Sequence, residues 1–284
     1  AAAQGFFKQQ GVYVEVAWYE PKALDDAFES GEVDFRFDFV ASAVRMVMNG
    51  EDVKLVMETD WSHGGDKILA KKGKGFRSYI GSKIGTYRDN PAMTYFLSVF
   101  LAKQKLSLSD FQLVEKDAGD LLQAFINEEL DFMICFDPLT IDAVKKGNGK
   151  VVATSSQFPG IMPEGMMAKA KTLAAIPEED VVKIIKAWVR AVEWTHQKGN
   201  WPAYAKILNE KNFPDRGKFN DSKLRALLAS VRIHDTKALL ARNKDNGGAT
   251  RYMADLKDFL SKTDGLDKDF DPKDILDNKA ILKA

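Results

Sequence analysis

Residues 27–35 read AFESGEVDF and residues 124–132 read AFINEELDF, so Ala-Phe, Glu, an aliphatic residue and Asp-Phe recur 97 positions apart without a gap. Each copy carries the end of an amphipathic helix, a tight turn and a strand entered through Asp. Two copies are too few for a solenoid, which needs at least three stacked units. The repeat therefore predicts two similar α/β lobes within one chain. A length of 284 residues leaves room for both, each with its own core.

Composition narrows the functional classes. The 41 basic and 41 acidic residues cancel, which removes the basic excess a nucleic-acid binder requires. No run approaches the ~20 apolar residues that span a bilayer, and residues 1–10 lack the cationic start and apolar core of a secretory signal. The lone Cys135 excludes an internal disulfide and a cysteine-built zinc site.

Along the chain, Val12, Val14 and Val16 alternate with other residues and predict a strand over 12–16. A short helix follows to Ser30, capped by Gly31, then a strand over 33–37. Ser42 is placed to open a helix over 43–48, and a third strand covers 53–57. This β-α-β-α-β order predicts a parallel sheet with helical crossovers. Residues 59–66, TDWSHGGD, read as turn formers around an aromatic, and 71–75, KKGKG, as a solvated connection between lobes. The latter lacks the spacing and Ser/Thr of a phosphate loop.

The second lobe opens with a strand at 83–87, then a helix capped by Asp89 or Asn90 with Pro91 in its first turn and an apolar face at Met93, Phe96, Leu97, Phe100 and Leu101. The second repeat copy supplies a helix over 119–127 and a strand over 132–135, and Asp137-Pro138 starts a further helix. After Pro177 only helical periodicity remains, with Val181, Ile184, Ile185, Trp188, Val189 and Val192 on one face. That region reads as packing onto a finished sheet.

In order, Gly5-Phe6-Phe7-Lys8-Gln9-Gln10-Gly11, Val14 and Val16, residues 27–34, Gly64-Gly65-Asp66, Ser82-Lys83-Ile84-Gly85, residues 131–138 and Phe158-Pro159-Gly160 resemble the solute-binding proteins of ABC importers. The branch is the sulfonate, taurine and nitrate type, which includes binders of thiamine-pyrimidine precursors. The resemblance implies a two-lobed periplasmic binding protein type II fold, with residues 1–75 and 161–284 as lobe 1, residues 76–160 as lobe 2 and the helical C-terminal region on lobe 1. It places one strand and its loop ahead of Gly5, which this sequence does not contain. It further implies a periplasmic monomer, or a lipid-anchored extracellular one. Such a protein takes a small-molecule ligand between its lobes and hands it to a membrane permease. No cofactor, metal or nucleic acid enters this reading.

Ligands of open α/β sheets sit beyond the carboxyl ends of strands. Mapping strand ends nominates Trp18, Tyr19, Asp38, Phe39, Ser42, Trp61, Ser62, Tyr87, Arg88, Asp89, Asn90, Phe136, Asp137 and Phe158. Each has a plainer alternative: the aromatics as core, Ser42, Asn90 and Asp137 as helix caps, and Asp38 as the ion-pair partner of Arg36 on the same strand face. If Asp38 and Asp137 both face the ligand, an anion is disfavoured and a polar ring or an amine suits better; Arg88 argues the other way. Phe39 and Phe136 lie four residues beyond the same repeat position in each copy. Two other readings stand beside the importer. A thiamine-pyrimidine synthase resembles these binders, but its cysteine-rich motif is absent at Ile134-Cys135-Phe136. A ligand-sensing receptor ectodomain uses the same fold. His63, His196 and His234 are too scattered for a local metal or triad motif.

Overall fold

The computed structural model describes every residue except Glu20, Lys74, Gly75, Arg88, Asp89 and 214–217. Among the described residues the strands are β1 (Arg36–Phe39), β2 (Val53–Ser62), β3 (Asp66–Lys71), β4 (Lys83–Tyr87), β5 (Gln112–Lys116), β6 (Phe132–Phe136), β7 (Gly149–Thr154), β8 (Pro163–Lys169) and β9 (Val231–Ile233). The chain divides into two compact units. The first holds Ala1–Asp60, Pro163–Leu228 and Ile233–Ala284; the second holds Trp61–Met162 and Ala229–Arg232.

The repeat is real in three dimensions. Ala27 and Phe28 are buried at the end of the helix Pro21–Ser30, and Ala124 and Phe125 are buried at the end of the helix Ala118–Ile126. Glu32 N donates to Ala27 O at 2.9 Å and Glu129 N to Ala124 O at 2.9 Å, while the inner bonds Gly31 N to Phe28 O and Glu128 N to Phe125 O measure 3.3 and 3.2 Å. This paired closure needs a left-handed residue after the helix. Gly31 supplies it at φ 81° and Glu128 at φ 65°.

In the second unit the sheet order is β5-β4-β6-β3-β7. β4 runs parallel to β5 and β6, and β3 runs antiparallel to β6 and β7. Its core includes Ile68, Leu69, Ile84, Phe96, Leu97, Phe125, Phe132 and Ile134, all wholly buried. The other sheet has the order β1-β8-β2-β9, with β1 antiparallel to β8 at the edge. The long helix Glu178–His196 begins with three acids, Glu178, Glu179 and Asp180, which suit its positive end. Its residues Val181, Val182 and Ile185 pack with Val56 and Met57 of β2, Met166 and Ala168 of β8, and Leu239, Ala280 and Ile281. These C-terminal helices thus complete the first unit's core, but the all-helical run expected after Pro177 is broken by β9, and Ala229–Arg232 belong to the second unit.

Several expectations fail for identifiable reasons. Residues 12–19 form no strand: Tyr13 is 91% exposed and Trp18 70%, and no neighbouring strand pairs with them. Alternation suits a pleated surface but cannot supply the partner that a strand's backbone needs. The strand expected at 33–37 starts only at Arg36. The turn expected over residues 59–62 is instead the end of β2, a ten-residue strand. Ser62 N donates to Met162 O at 3.0 Å there, so backbone pairing overrides turn-prone side chains. The parallel crossover order expected at the start gives way to an antiparallel β1–β8 pair, because β8 inserts between β1 and β2. Ser42 does not open its helix, which spans Val40–Met48 with Phe39 at the cap position.

Candidate functional site

The second unit gathers most of the nominated residues. β4 and β6 are parallel neighbours, so their carboxyl ends emerge together, and they end in Tyr87 and Phe136. These rings lie 5.5 Å apart at 36°. β3 runs the opposite way, which puts its first residue, Asp66, directly beside Phe136. Asp137 continues β6; its backbone N–H donates to Gly65 O at 3.1 Å, and its carboxylate takes the Lys67 ammonium and the Thr140 hydroxyl. Both of its oxygens are therefore engaged.

Ser62 lies behind this group. It shares a hydrogen bond of 2.8 Å with Ser155 and accepts from Asp66 N at 3.1 Å, while Ser155 Oγ accepts from Gly64 N at 2.7 Å. Trp61 is half-buried on β2. Asn90 caps the helix Pro91–Lys103, its side-chain oxygen accepting from Ala92 N at 3.1 Å and Met93 N at 3.4 Å. Arg88 and Asp89 fall outside the described residues. Phe158 is buried against the edge of Phe96, with Lys103 Nζ 4.0 Å above its ring, the contacts of a core aromatic.

The electrostatics follow from burial. The Asp66 carboxyl is pushed up to about 6, first by loss of water and then by Asp137, with Ser62 and Lys67 acting the other way. Burial also drives the Tyr87 phenol far above its ordinary value and the Cys135 thiol up to about 11. Cys135 is thus a neutral thiol at physiological pH, not a nucleophile in waiting.

In the first unit, β1 ends in Asp38 and Phe39. Arg36, with a 2% exposed side chain, donates to Asp25 Oδ1 at 2.8 Å and also binds the Asp38 carboxylate, whose other oxygen accepts from Phe39 N at 2.7 Å. Arg45 approaches Asp25 at 3.4 Å and Phe28 lies under the Arg36 guanidinium at 5.4 Å. Two helices and a strand are joined by this network. Phe39 is half-buried and Ser42 buried. Trp18 is exposed, and the Tyr19 hydroxyl donates to Glu32 at 2.8 Å.

Sequence reading missed Asp66, Lys67, Thr140 and Ser155. The strand containing the first two was expected to begin at Ile68. Thr140, three residues after Asp137, carries the spacing of a local side-chain bond and was readable in principle. Ser155 had no local signal. Among the described residues no group of three His, Cys, Asp or Glu side chains is placed to hold a metal.

Solved structures share this architecture. The aliphatic sulphonate binding protein SsuA of Escherichia coli superposes with a TM-score of 0.72 at 13% identity, covering 96% of this chain and 85% of its own. The periplasmic nitrate-binding protein NrtA of Synechocystis PCC 6803 gives 0.66 at 12%, covering 99% and 82%. A Candida albicans protein described as having the generic periplasmic binding protein fold gives 0.67 at 12%, covering 98% and 90%. The fold is that of the periplasmic binding proteins. Residues 1–200 match the NMT1/THI5-like family, and the chain belongs to it. No protein of curated function matches it by sequence.

Proposed function

We propose that this chain is the extracytoplasmic solute-binding component of an ABC importer, which captures a small polar organic molecule and delivers it to a membrane permease. Membership of the NMT1/THI5-like family over residues 1–200 carries this reading. The fold shared with sulfonate- and nitrate-binding proteins supports it. No described helix is long and apolar enough to cross a membrane, and a separate permease accounts for passage.

For the ligand, Tyr87, Phe136 and Phe39 are the candidate aromatic contacts, with Trp61, Ser62 and Asn90 as polar or aromatic neighbours and Arg88 and Asp89 as further candidates. An amine would need free carboxylates at Asp38 and Asp137. Both are engaged, by Arg36 and by Lys67 with Thr140. Aromatic faces at strand ends remain, so a ring-bearing polar solute, with or without charge, suits them best.

Calorimetric titration with pyrimidines, aromatic amines, alkanesulfonates and nitrate tests the assignment. A ring-bearing solute should bind, and Phe39→Ala and Phe136→Ala should each weaken it about tenfold, the loss of one stacking contact. Binding of alkanesulfonates alone, or unchanged affinity in both variants, would overturn the ligand class or the two residues respectively.

A further inference from the structure

The chain passes between the two units at 60/61, 162/163, 228/229 and 232/233. Three of these passages lie within two residues of Asp60, Glu164 and His234, which belong to one largely buried cluster in the first unit, Glu164 being half-buried. At its centre Glu58 is wholly buried on β2. One of its oxygens meets His234 Nε2 at 2.8 Å and Arg242 Nε at 2.6 Å, and the other accepts from Arg242 Nη2 at 2.9 Å. Asn243 brackets the same residue, accepting from Glu58 N at 2.6 Å and donating to Glu58 O at 2.8 Å. His234 N donates to Thr59 O at 2.9 Å.

Asp60 is treated differently. It is 8% exposed, and the hydrogen bond it receives from Thr59 Oγ1, at 2.8 Å, comes from a hydroxyl that also lies 3.3 Å from Glu164 O. A threonine hydroxyl has one proton to donate. Two acceptors compete for it, one on β2 and one on β8.

We propose that Asp60 is a proton-operated latch within the first unit, at the residue before the chain first leaves it: ionised, it holds the Thr59 hydroxyl, and protonated, it releases that hydroxyl to the Glu164 carbonyl, adding a side-chain bond to the pairing of β2 with β8. The proton comes from solvent and no covalent bond changes. The charged and titratable groups facing Asp60 are Glu58 on its own strand and His234 after β9, with Arg242 from the helix Thr236–Asn243 bound to Glu58. Burial pushes the Asp60 carboxyl up to about 6; Glu58 adds to the rise, and Thr59 and His234 oppose it. The exchange therefore falls between neutral and mildly acidic pH. It operates whatever the solute.

Hydrogen exchange, corrected for intrinsic rates, reads the latch directly. Protection of the amides of 59–62, 164–166 and 231–234 should rise roughly tenfold between pH 7.5 and pH 5, as a bond within β2 is exchanged for one between β2 and β8. Asp60→Asn should be flat and high, Thr59→Val flat and low, and Asp66→Asn should keep the rise. A flat wild type, or a rise that survives in Asp60→Asn or Thr59→Val, would overturn the latch. Should Asp60→Asn fold poorly, carbon-detected NMR titration of the wild-type Asp60 carboxyl decides: a midpoint near 6 supports the latch and one near 4 removes it.

Discussion

At the scale of single residues, burial decides what an acid can do. Asp38 and Asp137 were nominated as ligand contacts because they end strands, yet each is matched by a cation, Arg36 or Lys67. Asp66 is buried more deeply, and its carboxyl sits at about 6 against an ordinary 3.8, raised chiefly by burial despite Ser62 and Lys67. The folded chain then holds this proton more tightly than the unfolded chain does. The contribution of Asp66 to stability is greatest below pH ~4, falls as pH rises toward about 6, and is lost above it. Asp66→Asn should accordingly gain about 2–3 kcal/mol at pH 7.5 and little at pH 4, measured by urea denaturation at both pH values. An equal change at both would rule out ionisation as the cause. Strand ends were legible from the sequence; the partners were not, since Lys67 and Asp137 are 70 residues apart.

Elements were legible wherever a local pattern and its closure agree. The two repeat copies form the same helix end, the same pair of turn bonds and a following strand that ends at the equivalent Phe39 and Phe136. Their turns differ in one atom set: Gly31 occupies the left-handed position freely, whereas Glu128 holds it with a Cβ. Glu128→Gly should raise stability by about 0.5–1 kcal/mol, the relief of that strain less the added freedom of the unfolded chain; Gly31→Ala should lower it. Thermal melts of both variants check the pair, and a destabilised Glu128→Gly would deny the equivalence. Residues 12–16 show the opposite case. Their alternating valines satisfy every local rule for a strand, but pairing is a property of neighbours.

The whole chain returns to its own first unit after building the second, and again after a four-residue excursion at Ala229–Arg232. Each unit keeps its own core, so damage to one should stay local. Gly85 tests this, because a Cβ there would collide with Leu121 and Leu130 inside the second unit. Gly85→Ala should cost about 1–3 kcal/mol of overpacking. Exchange protection should fall across β4, β5 and β6 and hold in the helix Glu178–His196. Equal losses in both regions would show one cooperative body.

By itself the sequence determined the duplicated helix-turn-strand unit, the C-terminal helices though not the strand β9 among them, and the family resemblance, because these depend on periodicity, turn chemistry and motif order within short spans of chain. Only the tertiary structure decided that β8 lies between β1 and β2, that Asp38 and Asp137 are paired with cations, and that Asp60, Glu164 and His234 gather around Thr59 within the first unit. Those outcomes depend on which distant segments become neighbours. Local pattern carries no record of that choice, and burial then sets the charge that each residue can hold.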